Sequence, residues 1–235
     1  MTEFELGKVF DFSPLKPDVV NHLSNIYSLL AVGIVATGLG SLFDIYVYQV
    51  SGITTMILAG LAFSYAATSN RQLRDGDNIP SHKLAAYIGF TFLKGMSFAQ
   101  LFNFATFIDP TILPTAFFAS ISVFICFSTA AVCASRRDLM FITAAGSSLL
   151  LFTLFTSLAS LIFSHSFLVS INLYAGLFTF ICYVVIDTQK IILNYKSGDR
   201  DIVAAASQLY YDIFAIFVRL VLILLRSRED QKKRR

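Results

Sequence analysis

Charged residues are scarce in this sequence: 14% of its 235 residues are Asp, Glu, Lys or Arg, whereas 56% are hydrophobic. So little charge excludes a soluble domain of this size, and the mean hydropathy of +0.69 agrees. The short alternating strands of a membrane barrel are also missing. The apolar residues instead form blocks near membrane-spanning length, and such blocks fold as helices because backbone groups in lipid must bond within their own segment. We therefore expect an all-α, polytopic membrane helix bundle.

Cysteine and histidine are equally sparse, with three residues of each. Cys126, Cys133 and Cys182 lie inside apolar blocks at spacings that fit neither a disulfide framework nor a metal site, so we interpret them as reduced packing residues. The net charge of +3 is concentrated in the loops and at the C-terminus, where basic residues set membrane topology. We expect neither a resident cofactor nor a nucleic-acid partner.

The apolar blocks divide the chain into three parts. Residues 1–25 are a predicted cytoplasmic segment, residues 26–225 a transmembrane domain, and residues 226–235 a basic tail. The first residues lack a basic stretch followed by an apolar core, so we expect no cleaved signal peptide. The domain contains six predicted spans and a seventh embedded segment, at 26–47, 50–69, 84–104, 113–134, 139–163, 169–193 and 202–225. Small residues at Ala36 and Gly40, and at Gly60 and Ser64, favour close helix approach.

The basic residues predict how the chain crosses the membrane. The N-terminus and every second loop after it hold ten Lys and Arg residues, and the loops between them hold none. This distribution places the N-terminus in the cytoplasm. The tail holds six more basic residues. A crossing seventh segment would put these six on the opposite side, so charge favours a re-entrant path, although the segment is long enough to cross.

Two lysines near the C-terminus suggest a retrieval signal. Lys232 and Lys233 resemble a dilysine signal that returns membrane proteins to the endoplasmic reticulum, and such a signal is read by receptors in the cytoplasm. The other interpretation is a solvated basic tail that contacts anionic lipid.

Two aspartates interrupt the last two apolar segments. A charge at the bilayer centre costs at least ~2.5 kcal/mol, so Asp187 and Asp212 are candidate functional residues. Residues three and four apart share a face of a helix, and each aspartate therefore lies on a polar stripe. The two stripes consist of Asn172, Gly176, Thr179, Tyr183, Asp187 and Lys190 in the sixth span, and of Gln208, Asp212, Ala215 and Arg219 in the seventh segment. A short loop joins the segments, so the stripes can face each other in an antiparallel pair.

Two neighbouring carboxylates have a defined chemistry. At about 4 Å and an effective dielectric near 20 they repel by ~4 kcal/mol. Such a pair shares one proton and titrates as a unit. With oxygens from Tyr or Asn nearby, it can also hold a hard cation such as Ca²⁺.

An alternative interpretation makes each aspartate a buried group in a salt bridge. The candidate partners are Arg219 and Lys94. Lys94 lies in the third span, and if it does not pair with an aspartate, its side chain extends to the membrane interface. Asp44 and Asp109 lie at the exoplasmic ends of spans, where we expect them to be hydrated.

Four motifs point to a family. They are Asp109–Phe117 (DPTILPTAF), 172–177 (NLYAGL), 184–189 (VVIDTQ) and 209–214 (LYYDIF), in this order. With them, nearly the whole chain resembles the transmembrane Bax inhibitor motif family, in its animal Bax inhibitor-1 branch. The resemblance implies a bundle with a central seventh segment, residence in the endoplasmic reticulum membrane, suppression of cell death and a pH-sensitive calcium leak.

The resemblance also implies roles for single residues. In this family the last two embedded segments each supply one aspartate to a di-aspartyl sensor, and Asp187 and Asp212 match those positions. Transient Ca²⁺, protons and the lipid bilayer are then the expected partners, with Asn172, Tyr183 and Gln208 as candidates to line the path. Lys94 departs from the family pattern, because a neutral residue is expected near that point.

Two other classes of function fit parts of the sequence. Tyr211–Asp212 resembles half of the intramembrane aspartyl protease dyad, but the other half requires Gly-x-Gly-Asp, and Val184–Ile186 precede Asp187. We therefore predict that the protein is not an enzyme. The second alternative is a regulator that conducts little itself and binds Bcl-2-family proteins or calcium channels through its cytoplasmic face.

Overall fold

The computed structural model describes residues 17–67, 80–133, 139–163 and 166–233. These residues form seven α-helices without any strand, which confirms the predicted all-α membrane fold. The helices are α1 (Pro17–Tyr46), α2 (Gly52–Ala67), α3 (Ser81–Ile108), α4 (Ile112–Cys133), α5 (Leu139–Phe163), α6 (Ser166–Lys196) and α7 (Ile202–Lys233). Each predicted apolar segment corresponds to one helix.

Five helices are long and apolar enough to cross a membrane: α1, α4, α5, α6 and α7. The other two differ for separate reasons. Helix α2 has 16 residues and rises about 24 Å, less than the ~30 Å of a hydrocarbon core. Helix α3 has 28 residues, but Lys94 and Gln100 interrupt its apolar run.

Helix α7 extends beyond its predicted end at residue 225. It continues to Lys233 because Arg, Glu, Gln and Lys, which dominate the first residues of the tail, are good helix formers. Its 32 residues form one unbroken helix, which offers no support for the re-entrant path that the charge count favours. In the most apolar stretch of α7, 44% of the residues are buried, against 17–33% in the other four candidate spans.

The described residues divide into two compact units. Residues 114–190 and 212–233 belong to one unit, which we call the aspartate unit, and residues 17–113 and 191–211 belong to the other, which we call the glycine unit. The division at 190 and 212 assigns Asp187 and Asp212 to the same unit. The predicted sequence boundaries at 25 and 225 stay predictions.

Glycines allow α1 and α3 to pack closely in the glycine unit. A Cβ atom at Gly40 would collide with the carbonyl oxygen of Phe92, and one at Gly95 would collide with the carbonyl oxygen of Thr37. The predicted close approach at Gly40 is therefore correct. At Gly60 on α2 the prediction is wrong, because a Cβ atom there meets nothing within 4 Å among the described residues.

The first turn of α7 is fixed by Asp201. Its Oδ1 accepts hydrogen bonds of 3.1 Å from the amides of Val203 and Ala204, which makes Asp201 the N-cap of the helix. Its Oδ2 forms an ion pair with Lys83, in the first turn of α3. Lys83 counts as a loop charge in the sequence, but its side chain is buried. The contact places the starts of α3 and α7 side by side.

Asp44 differs from its prediction as a hydrated group. It is 2% exposed, and its Oδ1 accepts a 3.0 Å hydrogen bond from the amide of Val50. Near the end of α1 the carboxylate thus stabilises the connection to α2. Asp109 is half-buried and begins the turn before α4, where its Oδ1 accepts a 2.8 Å hydrogen bond from the amide of Thr111.

Candidate functional site

Helices α6 and α7 run antiparallel within the aspartate unit. Asp187 contacts Asp212, whereas Asn172, four turns earlier on α6, contacts Arg219, two turns later on α7. A cavity of about 370 Å³ lies further along the same two helices, between the start of α6 and the end of α7. Its walls come from residues 170–174 of α6 and 223–231 of α7. The polar stripes of the two helices therefore face each other.

Asp187 and Asp212 form a buried carboxyl pair. As whole residues, Asp187 is 8% exposed and Asp212 is 4% exposed. Their side chains lie close enough to interact electrostatically. The Oδ2 atom of Asp212 is buried and has no hydrogen-bond partner among the described residues. A carboxylate carries only acceptors, so the two groups cannot hydrogen-bond to each other while both are ionised.

Lys190 is the basic residue that contacts this pair. Its Nζ lies 3.2 Å from Asp187 Oδ1, one helical turn further along α6. The Lys190 side chain is 42% exposed, while that of Asp187 is 12% exposed. The sequence counts Lys190 among the loop charges, although its place on the α6 stripe, three residues after Asp187, is the signal that identifies it as a neighbour.

Arg219 occupies a slot on α6 rather than the aspartate pair. Its Nη1 donates a 3.1 Å hydrogen bond to the carbonyl oxygen of Asn172, and its guanidinium lies 5.3 Å from the centre of the Phe180 ring. A Cβ atom at Gly176 would collide with the guanidinium, so the glycine creates the slot. The Asn172 amide in turn donates a 2.5 Å hydrogen bond to Ser157 on α5. Arg219 thus connects α7 to α6.

The remaining candidates lie at different places. Tyr183 is half-buried on α6, with its ring 6.5 Å from that of Phe180. Lys94 belongs to the glycine unit, where its ammonium lies 5.4 Å from the centres of the Phe98 and Tyr211 rings, a cation–π arrangement. Gln208 is half-buried on the part of α7 that belongs to the same unit.

Buried hydroxyl groups surround α6 in the aspartate unit, and the predicted polar stripe includes one of them, Thr179, but not the others. Thr188, next to Asp187, lies 3.3 Å from the Ser128 hydroxyl of α4, and Thr179 lies 3.1 Å from the Thr153 hydroxyl of α5. Gln189 donates a 3.4 Å hydrogen bond to the carbonyl oxygen of Ala131. These contacts fix the rotation of α6, which directs Asp187 toward α7.

The pair alone is a sparse ligand set for a metal ion. Within residues 17–67, 80–133, 139–163 and 166–233, no group of three or more His, Cys, Asp or Glu residues could hold a metal. Ca²⁺ takes six to eight oxygen ligands, of which two carboxylates supply at most four. Lys232 and Lys233 are the last two residues of α7, and their side chains lie outside the described part of the chain.

Comparison with known proteins adds the family. Residues 19–230 match the model of the family described as inhibitor of apoptosis-promoting Bax1. Bax inhibitor 1 of Homo sapiens is 30% identical over 94% of this chain and 92% of that protein. Bax inhibitor 1 of Arabidopsis thaliana is 33% identical over 94% of this chain and 87% of that protein. Bax inhibitor 1 of Bos taurus is 29% identical over 97% of this chain and 95% of that protein. With this coverage and these identities, the chain belongs to the Bax inhibitor-1 family.

Proposed function

We propose that this protein suppresses cell death from the endoplasmic reticulum membrane and conducts Ca²⁺ under the control of pH. The family description as an inhibitor of apoptosis-promoting Bax1 supports the first part. The burial of the Asp187 and Asp212 carboxyl groups close to each other is the single observation that supports the second. No enzymatic activity is proposed.

The carboxyl pair acts as the sensor in this proposal. Two facing carboxyl groups titrate as a unit, because ionisation of the second group meets the charge of the first. Loss of the shared proton introduces ~4 kcal/mol of repulsion across the contact between α6 and α7 if the groups stay about 4 Å apart at an effective dielectric near 20. It also adds the negative charge that attracts a cation. Protonation therefore changes both the helix contact and the attraction for Ca²⁺.

The Ca²⁺ ion is cargo in this proposal and binds only transiently. Asp187 and Asp212 supply the charge, while Asn172 and Tyr183 are the polar side chains of the aspartate unit proposed along the path. Cytoplasmic placement of the N-terminus is part of the proposal and is supported by the distribution of basic residues. The retrieval role of Lys232 and Lys233 requires that the tail lies in the cytoplasm, where receptors can read it. If the unbroken α7 crosses the membrane, the tail lies on the face opposite to the loop between α6 and α7, and receptors in the cytoplasm cannot reach the two lysines.

Reconstitution of the purified protein in liposomes with a trapped Ca²⁺ dye tests the sensor. We expect Ca²⁺ flux to vary with pH in the unmodified protein, and we expect Asp187→Asn combined with Asp212→Asn to remove this variation. The matched control is Asp44→Asn, because Asp44 is also buried and an asparagine Oδ1 still accepts the hydrogen bond from Val50. A pH dependence that survives the double substitution would exclude the pair as the sensor.

A non-conducting regulator is the second candidate. The observation in its favour is the contact between Lys190 and Asp187, because the ammonium offsets part of the charge that would attract Ca²⁺. Such a protein would act by binding Bcl-2-family proteins or calcium channels. Flux from the same liposomes that never exceeds flux from protein-free liposomes, at any pH, would favour this function over conduction.

A further inference from the structure

The side chain of Lys190 lies near the C-terminal end of α6, partly exposed at the protein surface, and contacts the buried aspartate pair. Its ammonium lies 3.2 Å from Asp187 Oδ1, yet 42% of the side chain is exposed, compared with 12% for Asp187. A lysine stem can pack along apolar surface while its head reaches either water or a nearby acid. The ammonium can therefore leave the pair without passing through a buried region.

The pair offers more acceptor atoms than Lys190 uses. Among the described residues, the contact of Lys190 is with Oδ1 of Asp187, while Oδ2 of Asp212 is buried without a hydrogen-bond partner. A buried acceptor in this state is energetically costly, and a cation that reached both acids would remove the cost. A divalent ion also interacts with each carboxylate twice as strongly as an ammonium at the same distance.

We infer that Lys190 is a tethered counter-ion, which occupies the aspartate pair when Ca²⁺ is absent and must be displaced when Ca²⁺ enters. Because the ammonium is attached to α6, its local concentration at the pair is fixed and high, and it competes with Ca²⁺ at every ionic condition. Lys190 thereby raises the Ca²⁺ concentration at which the pair fills. This inference rests on the proposed function, since it takes Asp187 and Asp212 as the Ca²⁺ contacts.

Removal of the ammonium should strengthen Ca²⁺ binding. We expect Lys190→Gln to lower the half-saturating Ca²⁺ concentration about three- to fivefold, the upper half of the range that corresponds to an exposed ion pair. Lys190→Arg keeps the charge and should stay within about twofold of the unmodified protein. The matched control is Lys196→Gln, which removes the same charge two turns later on α6, where the side chain is exposed.

The readout is the thermal unfolding midpoint of the detergent-solubilised protein at increasing Ca²⁺ concentration, together with flux from liposomes. Binding to the folded state raises the midpoint, so the Ca²⁺ dependence of that rise gives the affinity without reliance on conduction. An unchanged Ca²⁺ dependence in Lys190→Gln, or an equal shift in Lys196→Gln, would overturn the counter-ion role.

A chemical version of the test works on protein that is already folded. Lys190→Cys is made in a background with Cys126→Ala, Cys133→Ala and Cys182→Ala, so that one thiol remains. Aminoethyl methanethiosulfonate then adds a lysine-like ammonium, and methyl methanethiosulfonate adds a neutral group. Only the ammonium should return the half-saturating Ca²⁺ concentration to that of the cysteine-free background that retains Lys190. Equal effects of the two reagents contradict the inference.

Asp187→Asn with Asp212→Asn separates this inference from the proposed function. If the double variant keeps the Ca²⁺-dependent rise of the unmodified protein, the pair is not the Ca²⁺ contact and the proposed function fails. If the double variant loses the rise while Lys190→Gln behaves like the unmodified protein, the pair binds Ca²⁺ and only the counter-ion role is wrong.

Discussion

At the scale of single residues, Asp201 shows how one side chain can stabilise two elements. One of its oxygens caps α7, and the other contacts Lys83 on α3. Both side chains are buried, so each needs the other to offset its desolvation. A cap and a buried ion pair on the same carboxylate make Asp201 a sensitive position for stability.

Substitution at Asp201 should separate its two roles. Asparagine is as good an N-cap as aspartate, so Asp201→Asn keeps the cap and loses the ion pair. Alanine loses both, which should cost about 1 kcal/mol more than asparagine. We expect Asp201→Asn to lower the thermal unfolding midpoint in detergent relative to the unmodified protein, and Asp201→Ala to lower it further. Glu229→Gln, at an exposed position of α7, is the control. Equal midpoints for the Asn and Ala variants would show that the cap contributes nothing.

The sequence predicts that Asp187 and Asp212 face each other, whereas it leaves two roles open for Lys190 on the same stripe. Asp187 and Asp212 stand out because each interrupts an apolar block, and helical periodicity places each on a polar stripe. Lys190 lies near the end of its block, where a lysine is equally expected as a topology signal. The choice between these roles depends on the direction in which the Lys190 side chain points. That direction follows from the rotation of α6 about its axis, which is fixed by contacts with Ser128 and Thr153 on other helices.

At the scale of helices, the sequence predicts which segments fold but, apart from the pair of α6 and α7, not which of them meet. All seven apolar blocks are helices, because the hydrocarbon solvent allows little else. Small residues occur at Gly40 on α1 and at Gly60 on α2, yet only Gly40 lies against another backbone. Spacing shows where a helix lacks side chains, but the position of the partner helix is a tertiary property.

Two glycines on α3 offer a matched test of helix packing. At Gly95 a Cβ atom would collide with the backbone of Thr37, whereas at Gly89 it would meet nothing within 4 Å among the described residues. Gly95→Ala should therefore force α1 and α3 apart and destabilise the protein by about 1–3 kcal/mol. Gly89→Ala should be neutral or stabilising by up to about 1 kcal/mol, because alanine favours a helix more than glycine does. Thermal unfolding in detergent measures both, and destabilisation at both sites to the same extent would contradict the packing argument.

At the scale of the whole molecule, the direction of α7 decides where the tail lies. The end of α7 lies beside the start of α6, and α7 is unbroken over its 32 residues. At 1.5 Å per residue it extends about 48 Å, enough to cross the bilayer. If the loop between α6 and α7 is cytoplasmic, as the ten basic residues on that side indicate, the tail is exoplasmic. The six basic residues of the tail oppose this arrangement but are outnumbered.

A glycosylation acceptor after Arg235 would locate the tail. We expect an Asn-x-Thr tag on a short linker to receive a glycan, because a crossing α7 would deliver the tail to the lumen, and we expect the same tag before Glu3 to receive none. In that arrangement receptors in the cytoplasm cannot read Lys232 and Lys233, so Lys232→Ser with Lys233→Ser should leave residence in the endoplasmic reticulum unchanged. An unglycosylated C-terminal tag, together with escape of the double Ser variant to later membranes, would instead show that the tail turns back to the cytoplasm and that the two lysines retain the protein.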